Sequence, residues 1–149
     1  MIFQITSYSS QYALPLVKMW RESFEQALGV MDPHPLLEQL NYLHEVVVAN
    51  NQVHIVLDPA TNNVIGFLAA NKNMVAQLYV HINYQGKGIG TQLIEIAKQN
   101  SDGRLRLFTF KSNIKAQRFY EHHGFKIIGQ GFEEEWQLED LEYEWVKNP

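Results

Sequence analysis

Three glycines stand in the stretch GKGIG at residues 86–90, between two segments of different periodicity. Upstream, the largely apolar stretch from Val75 to Ile82 predicts a strand. Downstream, apolar residues recur at Ile89, Leu93 and Ile96, which predicts an amphipathic helix. Glycines at such a junction let the main chain approach a ligand, and the first helical turn presents unpaired N–H groups and the positive end of the helix dipole. The junction therefore predicts a phosphate-binding site.

The other segments predict a mixed α/β chain of the α+β type. A length of 149 residues suits one domain, spanning residues 1–149. The predicted order is strand, two helices, three strands, helix, strand, helix and two strands, which indicates one mixed sheet flanked by helices. Strands are expected near residues 2–6, 53–57, 64–69, 75–82, 105–110, 125–128 and 141–145, and helices near residues 13–28, 36–47, from 88 onward, and 113–123.

Charge and composition exclude several classes of function. The net charge is −4, which gives no reason to expect a nucleic-acid partner. Between Lys87 and Lys126 lie 8 of the 12 basic and 3 of the 16 acidic residues, a net +5 that suits a polyphosphate; the remainder carries −9. Both stretches are equally compatible with solvated surfaces.

The chain has no cysteine, which excludes thiolate metal sites and cysteine nucleophiles. The six histidines show no spacing with acidic residues typical of a metal site, so no metal is expected. The N-terminal residues resemble no secretory leader, and no apolar run reaches membrane-spanning length. We therefore expect a soluble cytoplasmic protein that does not bind membranes.

Spacing distinguishes between families of phosphate-binding loops. A Walker loop needs Gly-Lys followed by Ser or Thr, but Lys87 precedes Gly88. A dinucleotide fingerprint needs a third glycine where Thr91 stands. What remains is Gln85-x-x-Gly88-x-Gly90, which resembles motif A of the GNAT superfamily of acyl-CoA-dependent N-acyltransferases.

Two flanking segments are similar to the same family. The stretch from Gln77 to His81 resembles its fourth strand, and the stretch from Asn113 to Phe125 resembles its motif B. The order of elements agrees along nearly the whole chain. The resemblance implies a largely antiparallel, twisted sheet of about seven strands with about four helices, in which the central fourth and fifth strands splay apart.

The resemblance also implies where acetyl-CoA, the co-substrate, would bind. Its pantetheine arm would pair with the backbone of the fourth strand, and Asn113 would hydrogen-bond that arm. Its pyrophosphate would lie on the N–H groups of the glycine loop. The implied CoA-binding residues are Leu78, Tyr79, Val80, Gln85, Gly86, Lys87, Gly88, Ile89, Gly90, Thr91, Asn113 and Tyr120.

Tyr120 is the catalytic residue that the resemblance implies. On a helix it shares a face with Asn113 and with Ala116 or Gln117, so an amide and a phenol would line one side of a groove. A phenol with a pKa near 10 is protonated at neutral pH and can protonate the departing CoA thiolate. The alternative is a tyrosine that only packs in the core.

The expected reaction is direct attack of an amine on the thioester in a ternary complex, because no cysteine is available to form a covalent intermediate. The amine must lose a proton, but the fourth strand contains Gln77 where some relatives carry a glutamate. The general base therefore stays unassigned among six candidates, His81, Glu133, Glu134, Glu135, His34 and Glu25.

The acceptor would be a small-molecule or peptide amine. In this family the acceptor borders segments that correspond here to residues 24–43 and 129–140, and neither carries a recognisable motif. The triplet Glu133-Glu134-Glu135 suggests that a cationic amine is received there, although a solvated loop explains it equally well. The last strand, from Leu141 to Trp145, is expected to be half-exposed, so it can pair across a homodimer.

Two other classes of function stay open. A catalytically silent acyl-CoA sensor would bind the same co-substrate without transfer, and an unrelated nucleotide-binding protein would use only the glycine loop. Presence of both Asn113 and Tyr120 favours the enzyme, since a silent relative loses the phenol without penalty.

Overall fold

Strands and helices follow the predicted order in the computed structural model, which describes residues 2–148. Seven strands and four α-helices lie within those residues, so the predicted mixed α+β class is confirmed. The strands are β1 (Gln4–Ser7), β2 (Gln52–Asp58), β3 (Asn63–Ala70), β4 (Val75–Val80), β5 (Arg104–Phe110), β6 (Lys126–Glu133) and β7 (Leu138–Val146). The helices are α1 (Ala13–Leu28), α2 (Leu36–Tyr42), α3 (Ile89–Gln99) and α4 (Ile114–His122), and α2 continues as a π-helical segment, Leu43–Val48.

The strands form two sheets rather than the one that the sequence predicts. The first has the order β1-β2-β3-β4 and the second β5-β7-β6, and every ladder within them is antiparallel. The sheets meet where Met74, just before β4, forms an isolated parallel bridge with Arg106 of β5. There the Arg106 N–H donates to the Asn73 carbonyl at 3.0 Å. Beyond that point β4 and β5 diverge, so the predicted splayed central strands are confirmed.

Helices cover both faces of the first sheet. Along β3, Phe67 and Ala69 pack with α1 and the segment after α2, whereas Leu68 and Ala70 pack into a second cluster with α3 and the β5-β7-β6 sheet. A strand buried on both faces must be apolar at successive positions, which explains why Val64–Ala70 is almost uninterrupted in apolar residues. One cluster therefore joins the two sheets, whereas the other holds α1 and the segment after α2 on the opposite face of the first sheet.

The expectation that the last strand can pair across a homodimer is wrong, because both of its sides are paired within the chain. β7 is the central strand of its sheet, and β5 and β6 are its edges. The alternation that suggested exposure has another cause. Leu141 and Tyr143 fill the core on one face, whereas Glu142 and Glu144 on the other face approach arginines of β5. A strand can thus carry acidic residues on one face and still be paired along both sides.

In residues 2–148, no helix combines the length and apolar composition that crossing a membrane requires.

Replacing Phe125 by Ala tests whether the packing between α4 and β7 limits stability. The Phe125 side chain is 1% exposed and its ring lies 5.6 Å from that of Tyr120, centroid to centroid. Because Phe125→Ala removes a fully buried ring and leaves a cavity, we expect it to lower the free energy of unfolding by about 3–5 kcal/mol, measured by urea denaturation. The matched control is Phe132→Ala, because Phe132 is 54% exposed on β6 and its loss should cost about 0.5 kcal/mol or less. Equal losses for the two variants would contradict this account.

Candidate functional site

A cavity of about 610 Å³ occupies the gap between β4 and β5. The two strands form its side walls, because each is paired with a neighbour only on the side away from the gap. The cavity is lined from both faces of the sheets. We call the face with Asn113, Ala116 and Tyr120 the α4 side, and the face with Trp20, Phe24 and the loop after α1 the α1–α2 side. One continuous space thus connects two differently built surfaces.

On the α4 side, one helix presents three of the residues singled out by the sequence. Asn113 is the N-cap of α4, and its Oδ1 accepts the Ala116 N–H at 3.1 Å. This bond orients the side chain at the start of the helix, so that Asn113, Ala116 and Tyr120 all line the cavity. Gln117 does not line it, because its Nε2 donates to the Lys111 carbonyl at 2.6 Å.

Two phenols approach the cavity from opposite walls. Tyr120 is 8% exposed and belongs to the core cluster around α3, while Tyr79 stacks on Phe67 with ring centroids 6.1 Å apart. Burial raises the pKa of Tyr79 to about 12 and also raises the pKa of Tyr120, with a further contribution from the nearby Tyr79. Both groups are therefore protonated at neutral pH, and either can donate a proton inside the cavity.

Tyr143 shows how a purely structural tyrosine differs from Tyr120. Its side chain is fully buried, and its hydroxyl donates to Oε2 of Glu121 at 2.7 Å. Tyr143 does not line the cavity, whereas Tyr120 does.

The glycine loop lies beyond the end of β4 and outside the cavity lining. Gly86 and Gly88 adopt φ values of +76° and +86°, a conformation that other residues rarely adopt, and Gly88 is the N-cap of α3. A Cβ built on either glycine would meet nothing within 4 Å, so the loop faces open space. Gln85 fixes the loop to its surroundings, because its Nε2 donates to the Val80 carbonyl at 2.9 Å and its Oε1 accepts from Lys115. The arrangement leaves the first N–H groups of α3 available to an anion.

The structure divides the remaining predicted CoA-binding residues between the cavity and the loop. Leu78 and Tyr79 line the cavity, whereas Val80 lies at the end of β4, outside the lining. Lys87 is exposed on the loop. Thr91 lies in the first turn of α3, where its Oγ1 is 3.3 Å from Nε2 of His123, a contact that joins α3 to the end of α4.

Aromatic side chains form much of the α1–α2 side. The ring centroids of Phe24 and Trp136 are 4.8 Å apart, and those of Phe24 and Phe110 are 6.4 Å apart. Trp20 and Tyr42 also line the cavity there, with centroids separated by 6.3 Å. These rings come from α1, the end of α2, β5 and the β6–β7 turn, so the surface forms only when the chain is folded.

Carboxylates accompany these rings, and no Lys or Arg lines the cavity. The lining acids are Asp32, Glu38, Glu133, Glu135 and Asp140. Because the five carboxylates outnumber the one lining histidine, the α1–α2 side is a negatively charged surface around an aromatic wall.

His34 joins two walls of the α1–α2 side. Its Nδ1 is 2.6 Å from Oδ1 of Asp32 in the same loop, and its Nε2 is 3.0 Å from Oε1 of Glu135 in the β6–β7 turn. The hydrogen bond to Asp32 is the largest cause that raises the pKa of His34, and Glu135 and Glu38 contribute their charge. His34 thus links the loop to the turn, and both of its ring nitrogens are already in contact with carboxylates.

The six candidates for the general base have different positions. His34, Glu133 and Glu135 line the cavity, whereas His81, Glu25 and Glu134 do not. Several are already engaged. Glu133 accepts the N–H groups of residues 135 and 136, Glu25 accepts the N–H of residue 32, and His81 contacts Glu22 at 3.1 Å. The base stays unassigned.

Most of the lining residues were not singled out from the sequence, among them Trp20, Asp32, Glu38, Trp136 and Asp140. Trp136 and Asp140 fall in the segment 129–140 expected near the acceptor, and Asp32 and Glu38 fall in the segment 24–43. The sequence offered one signal for Asp140. In the alternating pattern of β7, Asp140 lies on the face opposite the core residues Leu141 and Tyr143. Such alternation shows that a side chain points away from the core, but it does not show which surface the side chain faces.

Comparisons with known proteins agree with this geometry. A family model described as an acetyltransferase (GNAT) domain matches residues 43–127. Among solved structures, PH1933 from Pyrococcus horikoshii OT3 has a TM-score of 0.79 at 15% identity, and the alignment covers 99% of this chain and 100% of that one. PaiA N-acetyltransferase from Thermoplasma acidophilum in complex with coenzyme A has a TM-score of 0.73 at 20% identity, with 98% and 99% covered. YncA from Salmonella typhimurium, solved with its cofactor acetyl-CoA, has a TM-score of 0.75 at 14% identity, with 100% and 96% covered. No curated protein matches the chain.

The contact of His34 with two carboxylates predicts a pH-dependent stability. The folded-state pKa of His34 is raised above its unfolded value of about 6.5, so its stabilising contribution is fully present below that value and is lost as the pH rises through the folded-state pKa. We expect His34→Gln to lower the melting temperature relative to wild type at about pH 5.5, and this difference to shrink at about pH 9. His44→Gln is the control, because His44 contacts the exposed Tyr8 hydroxyl and no carboxylate pair. A difference for His34→Gln that is constant with pH would contradict the prediction.

Proposed function

Because the chain belongs to the GNAT family of acetyltransferases, we propose that it transfers the acetyl group of acetyl-CoA directly to an amine in a ternary complex. The observation that carries this proposal is the cavity between β4 and β5, which is lined from both faces of the sheets and has the Tyr120 phenol on one wall. Two substrates can enter this cavity from opposite sides and be bound at the same time, as direct transfer requires. The whole chain, residues 1–149, acts as one catalytic domain in this proposal.

Acetyl-CoA would enter from the α4 side. The edge of β4 that faces the gap has no partner strand beyond the bridge at Met74, so the backbone of Leu78, Tyr79 and Val80 can pair with the amide groups of the pantetheine arm. The Asn113 side chain lines the same wall and would hydrogen-bond the arm. The pyrophosphate would lie on the N–H groups of residues 85–91, where the loop faces open space and Lys87 adds a positive charge. Two similar structures hold coenzyme A or acetyl-CoA, which supports this choice of co-substrate.

The chemical step forms one bond and breaks another. The neutral amine nitrogen would attack the thioester carbonyl carbon, and the carbon–sulfur bond would break to release the CoA thiolate. Tyr120 would donate its phenolic proton to the sulfur. The amine nitrogen would lose its proton to a base or water, and a proton returned from there would restore the Tyr120 phenol. Burial keeps Tyr120 protonated at neutral pH. The thiolate forms in the same poorly solvated cavity, which raises its basicity and favours the proton transfer.

Tyr120→Phe tests the enzyme against a silent acyl-CoA-binding module. We expect at least about a 100-fold loss of kcat in acetyl-CoA-dependent release of free thiol with a panel of primary amines, because the leaving thiolate loses its proton donor. The CoA-induced rise in melting temperature should change little, since one hydroxyl is lost from a long binding surface. Tyr8→Phe is the matched control, because Tyr8 bonds His44 and does not line the cavity. Wild-type turnover in Tyr120→Phe would remove Tyr120 from the mechanism.

Gly88→Ala tests the phosphate-binding role of the loop. Gly88 has φ +86° with free space around it, so the substitution costs about 1–2 kcal/mol of backbone strain that the loop can relieve only by changing shape. We expect CoA to bind about tenfold more weakly, measured by isothermal titration calorimetry. Gly29→Ala is the control, because Gly29 has φ +68°, equally free surroundings and a position at the end of α1. If both variants bound CoA as wild type does, the loop would not hold the pyrophosphate.

A further inference from the structure

The acceptor side of the site contains a carboxylate that the fold leaves without a cationic partner. Asp140 is the residue of β7 that lines the cavity, and it is half-buried. It is absent from every ion pair within residues 2–148. Its neighbour Glu139 differs in both respects, because it is exposed and lies 3.9 Å from Nζ of Lys111. The two acids are adjacent in sequence and face opposite sides of one strand.

The other carboxylates of the cavity are already engaged or exposed. Asp32 and Glu135 contact the two nitrogens of His34. Both oxygens of Glu133 accept backbone N–H groups of the β6–β7 turn. Glu38 is exposed in the first turn of α2, where the positive end of the helix dipole already stabilises its charge. Asp140 is therefore the lining carboxylate that is both sheltered and available to a ligand.

Gly131 allows the Asp140 carboxylate to take this position. The two residues are directly opposite each other in the pairing of β6 with β7. A Cβ built on Gly131 would lie 2.8 Å from Oδ1 of Asp140, closer than real Cβ contacts, so a side chain there would displace this carboxylate. On its other side Asp140 is opposite Phe110 of β5, whose ring approaches Phe24. The carboxylate thus stands beside an aromatic wall, a combination that suits an organic cation.

Five carboxylates line this cavity, and the reacting nitrogen needs at most one of them, as the base that takes its proton. Further carboxylates beside the attacking amine would stabilise its ammonium form and oppose the loss of the proton that attack requires. A second amino group on the same acceptor has the opposite requirement, since it must keep its charge to bind. An anionic, aromatic surface on the acceptor side therefore suits a second, non-reacting ammonium group.

We propose that the acceptor is a small amine carrying a second ammonium group, and that Asp140 binds that group beside Phe110 and Phe24. This inference rests on the proposed function, because it assigns the amine side of the same cavity. Asp140 is a specificity-determining residue in this account, and the acetyl transfer itself proceeds as described above.

A comparison of matched acceptors tests the proposal with the full chain. The substrates are a series of α,ω-diamines and the amino alcohols of equal length, which replace the distal ammonium by a hydroxyl group. The measurement is acetyl-CoA-dependent release of free thiol. We expect wild type to favour a diamine over its amino alcohol by at least about tenfold in kcat/KM, and Asp140→Asn to reduce this ratio about tenfold, mainly through KM for the diamine.

Two further variants separate charge from structure. Glu139→Gln removes the adjacent carboxylate on the opposite face and should keep the wild-type preference. Gly131→Ala keeps the charge of Asp140 but displaces it, so it should reduce the preference, and a CoA-induced rise in melting temperature shows that the variant is folded. If wild type acetylated amino alcohols as well as diamines, or if Asp140→Asn kept the preference, this inference would be overturned and the proposed function would stand. If no amine released thiol, both would fail.

Discussion

The site depends on two sheets that are joined at one end only. Near Met74 and Arg106 the backbones of the two sheets are bonded, and from there β4 and β5 separate. The edges of β4 and β5 that face the gap carry unpaired backbone groups. They stay separated only if the surrounding packing prevents the two strands from pairing with each other. The two apolar clusters supply that packing, because helices hold the first sheet on both faces while α4 and Phe125 hold the second. The gap is therefore a property of the core rather than of the residues that line it.

The two sides of the gap differ in the interactions that they offer. The α4 side and the glycine loop present backbone groups, one amide and one phenol, which recognise a long polar molecule largely through its main-chain-like groups. The α1–α2 side presents rings and carboxylates, which recognise charge and shape. The first set can be shared by many proteins that use one co-substrate, whereas the second can vary without disturbing it. In the proposed function, this division places co-substrate binding and acceptor specificity on separate elements of the structure.

The sequence predicted the parts of the site that are local in the chain. The glycine loop and the helix of Asn113 and Tyr120 each lie within a short segment whose spacing fixes its geometry. The α1–α2 side could not be predicted in this way, because its contacts join distant positions, such as His34 with Glu135 and Phe24 with Trp136. The place of β7 in its sheet was missed for a related reason. Alternation identifies the face that enters the core, but it does not identify which strands flank a given strand, and acidic residues facing arginines look like exposed ones.

The cavity lined from both faces also has a consequence for inhibition. If the two substrates bind as proposed, a molecule that fills only one half of the cavity would compete with only one of them and would leave the other half free. A compound that joins a pantetheine-like chain to a cationic tail would pass through the gap between the two sheets and occupy both halves of the cavity at once. Its two ends would address surfaces that share no residue, so each end could be optimised separately, and the cationic end would decide which member of a large family is blocked.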